Sequence, residues 1–129
     1  MEALATALAA YRAFLKQEGD ACSARVAQLE AAQRWDEANL EKVRRNITGV
    51  FSALLTADEA YLQKAGQPTL DAFCERFCPR FESLSAAWRA HLSAASAHGD
   101  LQTQLVEETK LVTANRLWEA FQKAKEAAQ

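Results

Sequence analysis

Residues 69–98 read TLDAFCERFCPRFESLSAAWRAHLSAASAH and contain the most strongly apolar segment of the chain. Polar residues alternate there with apolar side chains that recur every three or four positions, at Leu70, Phe73, Cys74, Phe77, Phe81, Leu84, Trp88, Leu92 and Ala95. This period is typical of an amphipathic α-helix that buries one face. The segment therefore predicts a long helix against which the rest of the chain packs.

Pro79 lies inside this predicted helix. A proline in a helix interior removes one backbone hydrogen bond and clashes with the preceding turn, at a cost of about 3 kcal/mol. Because the apolar stripe continues from Phe81 to Trp88, we predict a kink near Pro79 rather than a helix end. The alternative is a separate short helix over residues 69–78.

The composition favours helices along the whole chain. The good helix formers Ala, Leu, Glu, Gln, Lys and Arg are abundant, whereas Val, Ile and Thr are sparse. With 129 residues, half of them hydrophobic and a quarter charged, the chain fits one soluble globular domain that needs no disulfide or metal. We therefore predict an all-α fold and a single domain over residues 1–129.

Three interruptions of the apolar period divide the chain into four helices. They fall around Arg34, at residues 66–69 and at residues 98–100, with Asp36 as the expected N-cap of the second helix and Thr69 as that of the third. The predicted helices span about 2–33, 36–65, 69–98 and 100–126. Short loops make sequential helices antiparallel, so the sequence predicts an up-down-up-down four-helix bundle.

Two positions leave alternatives open. Gly19 and Asp20 resemble a helix stop followed by an N-cap, but the apolar stripe keeps its phase across them, which favours one helix. Residues 56–59 read TADE, the form of a capping box that could start a separate helix. Tyr61 and Leu62 continue the earlier phase, which favours a position inside a longer helix.

The charge balance argues against a nucleic-acid partner. The formal net charge is −2, and the densest basic cluster, Lys42, Arg44 and Arg45, is flanked by acidic residues. No apolar run reaches the length of a membrane span, and the start Met1-Glu2 lacks the basic character of a signal peptide. We expect no nucleic acid, no membrane association and a cytoplasmic location, which the odd count of three cysteines also favours.

The sequence predicts no metal or cofactor site. Cys74 and Cys78 share a helix face, but Cys22, His91 and His98 fall at other heights of the bundle, so a zinc site lacks ligands. The Glu-x-x-His motif of di-iron bundles and the haem-binding motifs are absent. Neither a nucleophile turn nor a glycine-rich phosphate loop occurs, so we expect no enzyme.

One polar constellation is expected in the bundle. Arg44, His91 and Glu108 fall at one height, within or beside the apolar stripes of three helices, with Arg25 and Cys22 nearby. We expect a semi-buried polar layer in which Glu108 faces His91 or Arg44, because a buried charge needs a partner. Such a layer would fix the helix register or form the floor of a ligand site. The alternative is that these side chains extend into solvent.

The fourth helix carries two apolar faces. One contains Leu101, Leu105 and Val112, and the other contains Leu111, Ala114, Trp118 and Phe121. A helix with two apolar faces is either deeply buried or in contact with a second molecule. The sequence predicts an interface at Leu111, Trp118 and Phe121, for a protein partner or for a second copy in a homodimer.

These patterns favour a non-enzymatic bundle that binds another macromolecule, in the role of an adaptor, an export chaperone or a subunit. The alternative is a small-molecule binder with an apolar pocket between helices, near Pro79 and the aromatic side chains of Phe73, Phe77 and Phe81.

Overall fold

The computed structural model describes residues 2–129, which form four α-helices and no strand. These are α1 (Glu2–Ala31), α2 (Trp35–Lys64), α3 (Leu70–Ala97) and α4 (Leu101–Ala128). They pack as an up-down-up-down bundle in which α2 contacts α4 more extensively than α3. The predicted all-α fold is confirmed. No helix in residues 2–129 combines the length and the apolar character that crossing a membrane requires.

Helices α1, α2 and α3 are continuous at each position where the sequence allows a helix break. Helix α1 passes through Gly19, α2 passes through residues 56–59, and α3 passes through Pro79. The alternatives with a break at Gly19, a new helix at Thr56 or a separate helix over 69–78 are therefore wrong. The kink near Pro79 is not confirmed.

The three connections end their helices in the same way. A residue with positive φ follows the last helical turn: Gln33 (61°), Gly66 (72°) or Gly99 (67°). The next amide donates to the carbonyl five residues earlier, with N–O distances of 2.8 to 2.9 Å. This is the Schellman pattern, which satisfies carbonyl groups at a helix end. Glycine adopts this backbone conformation without steric cost, whereas Gln33 does not.

The helix starts agree in part with the predicted caps. Thr69 accepts a hydrogen bond from the Ala72 amide at 3.2 Å, as the sequence predicts. Asp100 caps α4 in the same manner. The prediction for Asp36 is wrong, because α2 begins one residue earlier, at Trp35, and Arg34 supplies no side-chain cap.

The interior changes character along the bundle axis. We call residues 2–16, 50–64, 70–83 and 115–128 the aromatic half, and residues 17–31, 35–49, 84–97 and 101–114 the polar half. The aromatic half buries the rings of Tyr11, Phe51, Phe73, Phe77, Phe81 and Phe121. The polar half buries smaller or polar side chains, among them Cys22, Val26, Ala38, Glu41, Ala95, Glu107, Thr109 and Thr113, with Trp88 as a large exception.

Ion pairs between helices accompany this packing. Arg12 pairs with Glu59 and Lys42 with Glu30, and both pairs join α1 to α2. Arg116 pairs with Glu18 on α1, which lowers the pKa of that carboxyl chiefly through the hydrogen bond. Such pairs contribute little energy when exposed, but each is made in one register of the two helices.

Candidate functional site

The predicted polar layer is divided in the structure between two separate carboxylates. Arg44 contacts Glu41, its neighbour on α2, and Arg25 of α1 lies 3.1 Å from the same carboxylate. His91 instead contacts Glu107 on α4, with 3.1 Å between Nδ1 and Oε1. Arg44 and His91 therefore belong to different clusters, and the single predicted layer is wrong.

The acidic residue that contacts His91 is Glu107, so the predicted Glu108 is wrong by one position. Glu107 is 3 % exposed and also pairs with Lys110 at 2.7 Å, whereas Glu108 is exposed and makes no ion pair within residues 2–129. One residue rotates the side chain by about 100° around a helix. The sequence held a signal for Glu107, because it precedes the buried residues Ala114 and Phe121 at intervals of seven.

A third buried carboxylate was missed from the sequence. Asp58 of α2 is fully buried and accepts hydrogen bonds from two arginines of α3. Arg80 binds it through Nε and Nη2, both at 2.7 Å, and Arg76 binds it through Nε at 2.9 Å. Its position in the stripe Phe51, Leu55, Asp58, Leu62 was the available signal. This cluster joins α2 to α3 and leaves the Asp58 carboxylate no free surface.

The predicted interface residues lie on the face of α4 that packs against the bundle. Phe121 is fully buried, with its ring centroid 5.1 Å from that of Tyr11, so its assignment to an interface is wrong and it is a core residue. Leu111 and Trp118 are half-buried and line a surface groove between α3 and α4. A partner contact at those two residues stays a prediction.

This α3–α4 groove has a volume of about 580 Å³. Its walls combine rings with polar groups, from Cys78, Phe81, Glu82, Ser85, Arg89, Leu111, Ala114, Asn115 and Trp118. The Trp118 ring packs edge-on against Phe81 at 5.1 Å, and Arg89 pairs with Glu82 along the groove. Burial, with a smaller contribution from Cys74, raises the pKa of the Cys78 thiol to about 12. At neutral pH this thiol is therefore protonated and a poor nucleophile.

The opposite face of α4 points into solvent although it is apolar. Leu101, Leu105 and Val112 are 72 %, 52 % and 65 % exposed. They lie with Glu108 at intervals of three or four residues, and so on one face of the helix. We call these four residues the outer face of α4. The exposed apolar face of α4 is thus the one with Leu101, Leu105 and Val112, where the sequence predicted no interface.

A second groove adjoins this outer face. It has a volume of about 280 Å³ and lies between the first turns of α2 and α4. Its lining consists of Asp36, Asn39, Leu40, Gln102, Leu105 and Val106. We call it the α2–α4 groove. Leu105 belongs both to this groove and to the outer face of α4, so the two form one continuous surface in the polar half.

Residues 2–129 contain no cluster of three or more His, Cys, Asp or Glu side chains that could hold a metal ion. The pKa values of all three cysteines are raised, chiefly by burial. No family model, no curated protein and no solved structure matches the chain.

Proposed function

We propose that this protein binds another protein through the outer face of α4, as an adaptor, an export chaperone or a subunit, and that it is not an enzyme. One observation carries the proposal: three aliphatic side chains of one helix face, Leu101, Leu105 and Val112, are more than half exposed. Isolated exposed leucines are common on protein surfaces. A row of them on a helix whose other face is buried is the pattern of anchor residues in helix-mediated recognition.

The position of this row is also informative. Burying one aliphatic side chain stabilises a fold by about 1.5–3 kcal/mol, yet α4 leaves three of them in water. The same helix buries Leu117 and Phe121 completely in the aromatic half. The exposed aliphatic side chains of α4 therefore lie in its N-terminal half. A partner that covers this half would remove the most apolar surface from water.

The test is a variant that removes this apolar row without disturbing the fold. Leu101→Gln, Leu105→Gln and Val112→Gln together keep good helix formers on an exposed face, so the melting temperature should change little. Val50→Gln is the matched control, because Val50 is an exposed aliphatic residue (41 %) of α2.

We expect photo-cross-linking in extracts of the native cells to capture a partner with the parent chain and with Val50→Gln, but not with the triple variant. A partner that the triple variant captures equally well would contradict the proposal. Equal losses with the triple variant and with Val50→Gln would contradict it as well, because the effect would then not belong to α4.

A second candidate function is small-molecule binding in the α3–α4 groove. Its volume of about 580 Å³ lies within the range of ligand sites, and the rings of Phe81 and Trp118 line it. The sequence predicts a pocket near Phe73, Phe77 and Phe81. Of these three residues Phe81 lines the groove, whereas Phe73 and Phe77 are fully buried in the core. A ligand of this site should raise the melting temperature of the parent chain and lose that effect in Trp118→Leu.

A further inference from the structure

The outer face of α4 continues into a concave surface. The α2–α4 groove begins at Leu105 and is bounded by two helices whose N-terminal turns lie side by side. Its base carries Leu40 and Val106, both half-buried. A groove between two helices, continued by anchor positions along one of them, accommodates the apolar face of a third helix. The shape of this surface therefore fits a helical partner segment.

The free charges beside this surface are negative. Asp36 lines the groove and Glu108 lies on the outer face of α4, and neither has a cationic partner within 4 Å among residues 2–129. The cations nearest to them along the chain are already paired, Arg34 with Glu37 and Lys110 with Glu107. Electrostatic complementarity therefore favours basic side chains along the edge of the partner helix.

A second copy of this chain fits the surface poorly. In a symmetric dimer the same patch meets itself, so pairing the strip 101–112 places Glu108 of both copies near the two-fold axis. A different chain that supplies positive charge avoids the repulsion between the two Glu108 carboxylates.

We infer that the segment bound by the outer face of α4 and the α2–α4 groove is an amphipathic α-helix whose apolar stripe is flanked by Lys or Arg. This inference rests on the proposed function and specifies the chemical class of the partner. Leu101, Leu105 and Val112 would contact the apolar stripe, and Asp36 and Glu108 would face the basic flanks.

The test uses two synthetic helical peptides with the same leucine stripe, one with lysine and the other with glutamate at the flanking positions. Fluorescence anisotropy measures the binding of each labelled peptide to the full chain at low and at raised ionic strength. We expect the lysine peptide to bind, Leu105→Gln to weaken it about tenfold, and the glutamate peptide not to bind.

The charge contribution is tested by the double variant Asp36→Asn with Glu108→Gln. It should weaken binding of the lysine peptide and flatten its dependence on salt. Glu75→Gln with Glu126→Gln is the matched control, because both carboxylates are exposed, make no ion pair within residues 2–129, and lie in the aromatic half. This control should bind the lysine peptide almost like the parent chain.

Several results would overturn the inference. If the glutamate peptide binds equally well and Leu105→Gln still weakens binding about tenfold, the basic character of the partner is wrong while the proposed protein-binding function stands. Binding of the lysine peptide that survives Leu105→Gln, or no binding of either peptide, overturns the assignment of this surface. A concentration-dependent dimer that Leu105→Gln abolishes would make a second copy the occupant. The cross-linking experiment on the native partner tests the proposed function independently of these peptides.

Discussion

The interior around Phe77 and the interior around Glu107 are built from different side chains. In the aromatic half the Phe77 ring has five aromatic neighbours, with centroids 5.1 to 6.4 Å away. In the polar half α4 buries Glu107, Thr109 and Thr113, and the two threonine hydroxyls donate to backbone carbonyls of their own helix. The aromatic half buries more and larger apolar side chains, and hydrophobic stabilisation follows the apolar area removed from water.

The proposed binding surface lies in the half with fewer buried rings. The outer face of α4 and the α2–α4 groove both belong to the polar half, while the large rings fill the aromatic half. A half that buries less apolar area opens more easily and can adapt to a partner. We therefore expect stability to come mainly from the aromatic half, and the proposed binding surface belongs to the polar half. The following predictions test that division, beginning with the largest expected effect.

Truncation of one ring should destabilise the aromatic half severely. Phe77→Ala removes a fully buried side chain from the centre of the aromatic cluster and should lower the free energy of unfolding by about 3–5 kcal/mol. Val26→Ala, at a buried site of the polar half, should cost about 2 kcal/mol. Urea denaturation followed by circular dichroism measures both. Equal losses would refute the unequal division of stability.

The buried carboxylates should also differ in importance. Asp58→Asn leaves Arg76 and Arg80 without their countercharge and should cost about 3 kcal/mol. Glu107→Gln should cost about 1 kcal/mol, because the side chains of its partners His91 and Lys110 are 67 % and 26 % exposed and can turn to water. The same urea titrations apply. If Glu107→Gln lowers the free energy of unfolding more than Asp58→Asn does, the ion pairs of the polar half contribute more stability than the exposure of His91 indicates.

Amide hydrogen exchange should resolve the two halves directly. We expect amides of residues 50–64 and 70–83 to exchange through global unfolding, and amides of residues 35–49 and 84–97 to exchange through a partial opening that costs about 2 kcal/mol less. The measurement is native-state exchange by NMR at increasing denaturant. A single opening free energy for all four segments would mean that the bundle unfolds as one unit.

Alanine in place of the helix-interior glycines of the polar half should stabilise the fold. An added Cβ at Gly19 or Gly49 would meet nothing within 4 Å, so alanine should raise the free energy of unfolding by about 1 kcal/mol at each position. Gly66→Ala is the contrasting control and should destabilise, because its φ is +72°. Thermal denaturation checks all three. A loss at Gly19 or Gly49 would reveal a role of these glycines beyond helix propensity.

The smallest effect concerns the pH dependence of stability. The pKa of the Cys78 thiol is raised to about 12 in the folded state, from an ordinary value of 9.0. Above about pH 9 the unfolded chain releases this proton while the folded chain keeps it, so stability falls as the pH rises. Cys78→Ala should make this decline shallower, and only modestly, because the thiol is half-buried. Urea midpoints across the alkaline range measure it, and parallel declines would contradict the assignment.

The sequence predicted the helices well because the signals for them are local. The apolar period, the turn at residues 66–69 and the cap at Thr69 each depend on neighbours within one or two turns. The start of α2 was missed by one residue because Arg34 precedes it without a side-chain cap. Val50 and Tyr61 belong to the apolar stripe of α2 in the sequence but are 41 % and 52 % exposed. The apolar stripe of α2 is wider than the surface that the neighbouring helices cover.

The candidate site was predicted less well because its residues are defined by contacts between helices. Which apolar face of α4 packs inward depends on the positions of its neighbours, and they cover Phe121 rather than Leu105. The choice between Glu107 and Glu108 depends on where His91 of α3 lies. The pairing of Asp58 with Arg80 joins residues that are 22 positions apart. The sequence by itself determined the four helices, their limits to within about two residues and their antiparallel order, since these follow from local period and short loops. Only the tertiary structure decided which side chains are buried, paired or left exposed, since burial depends on the packing of all four helices.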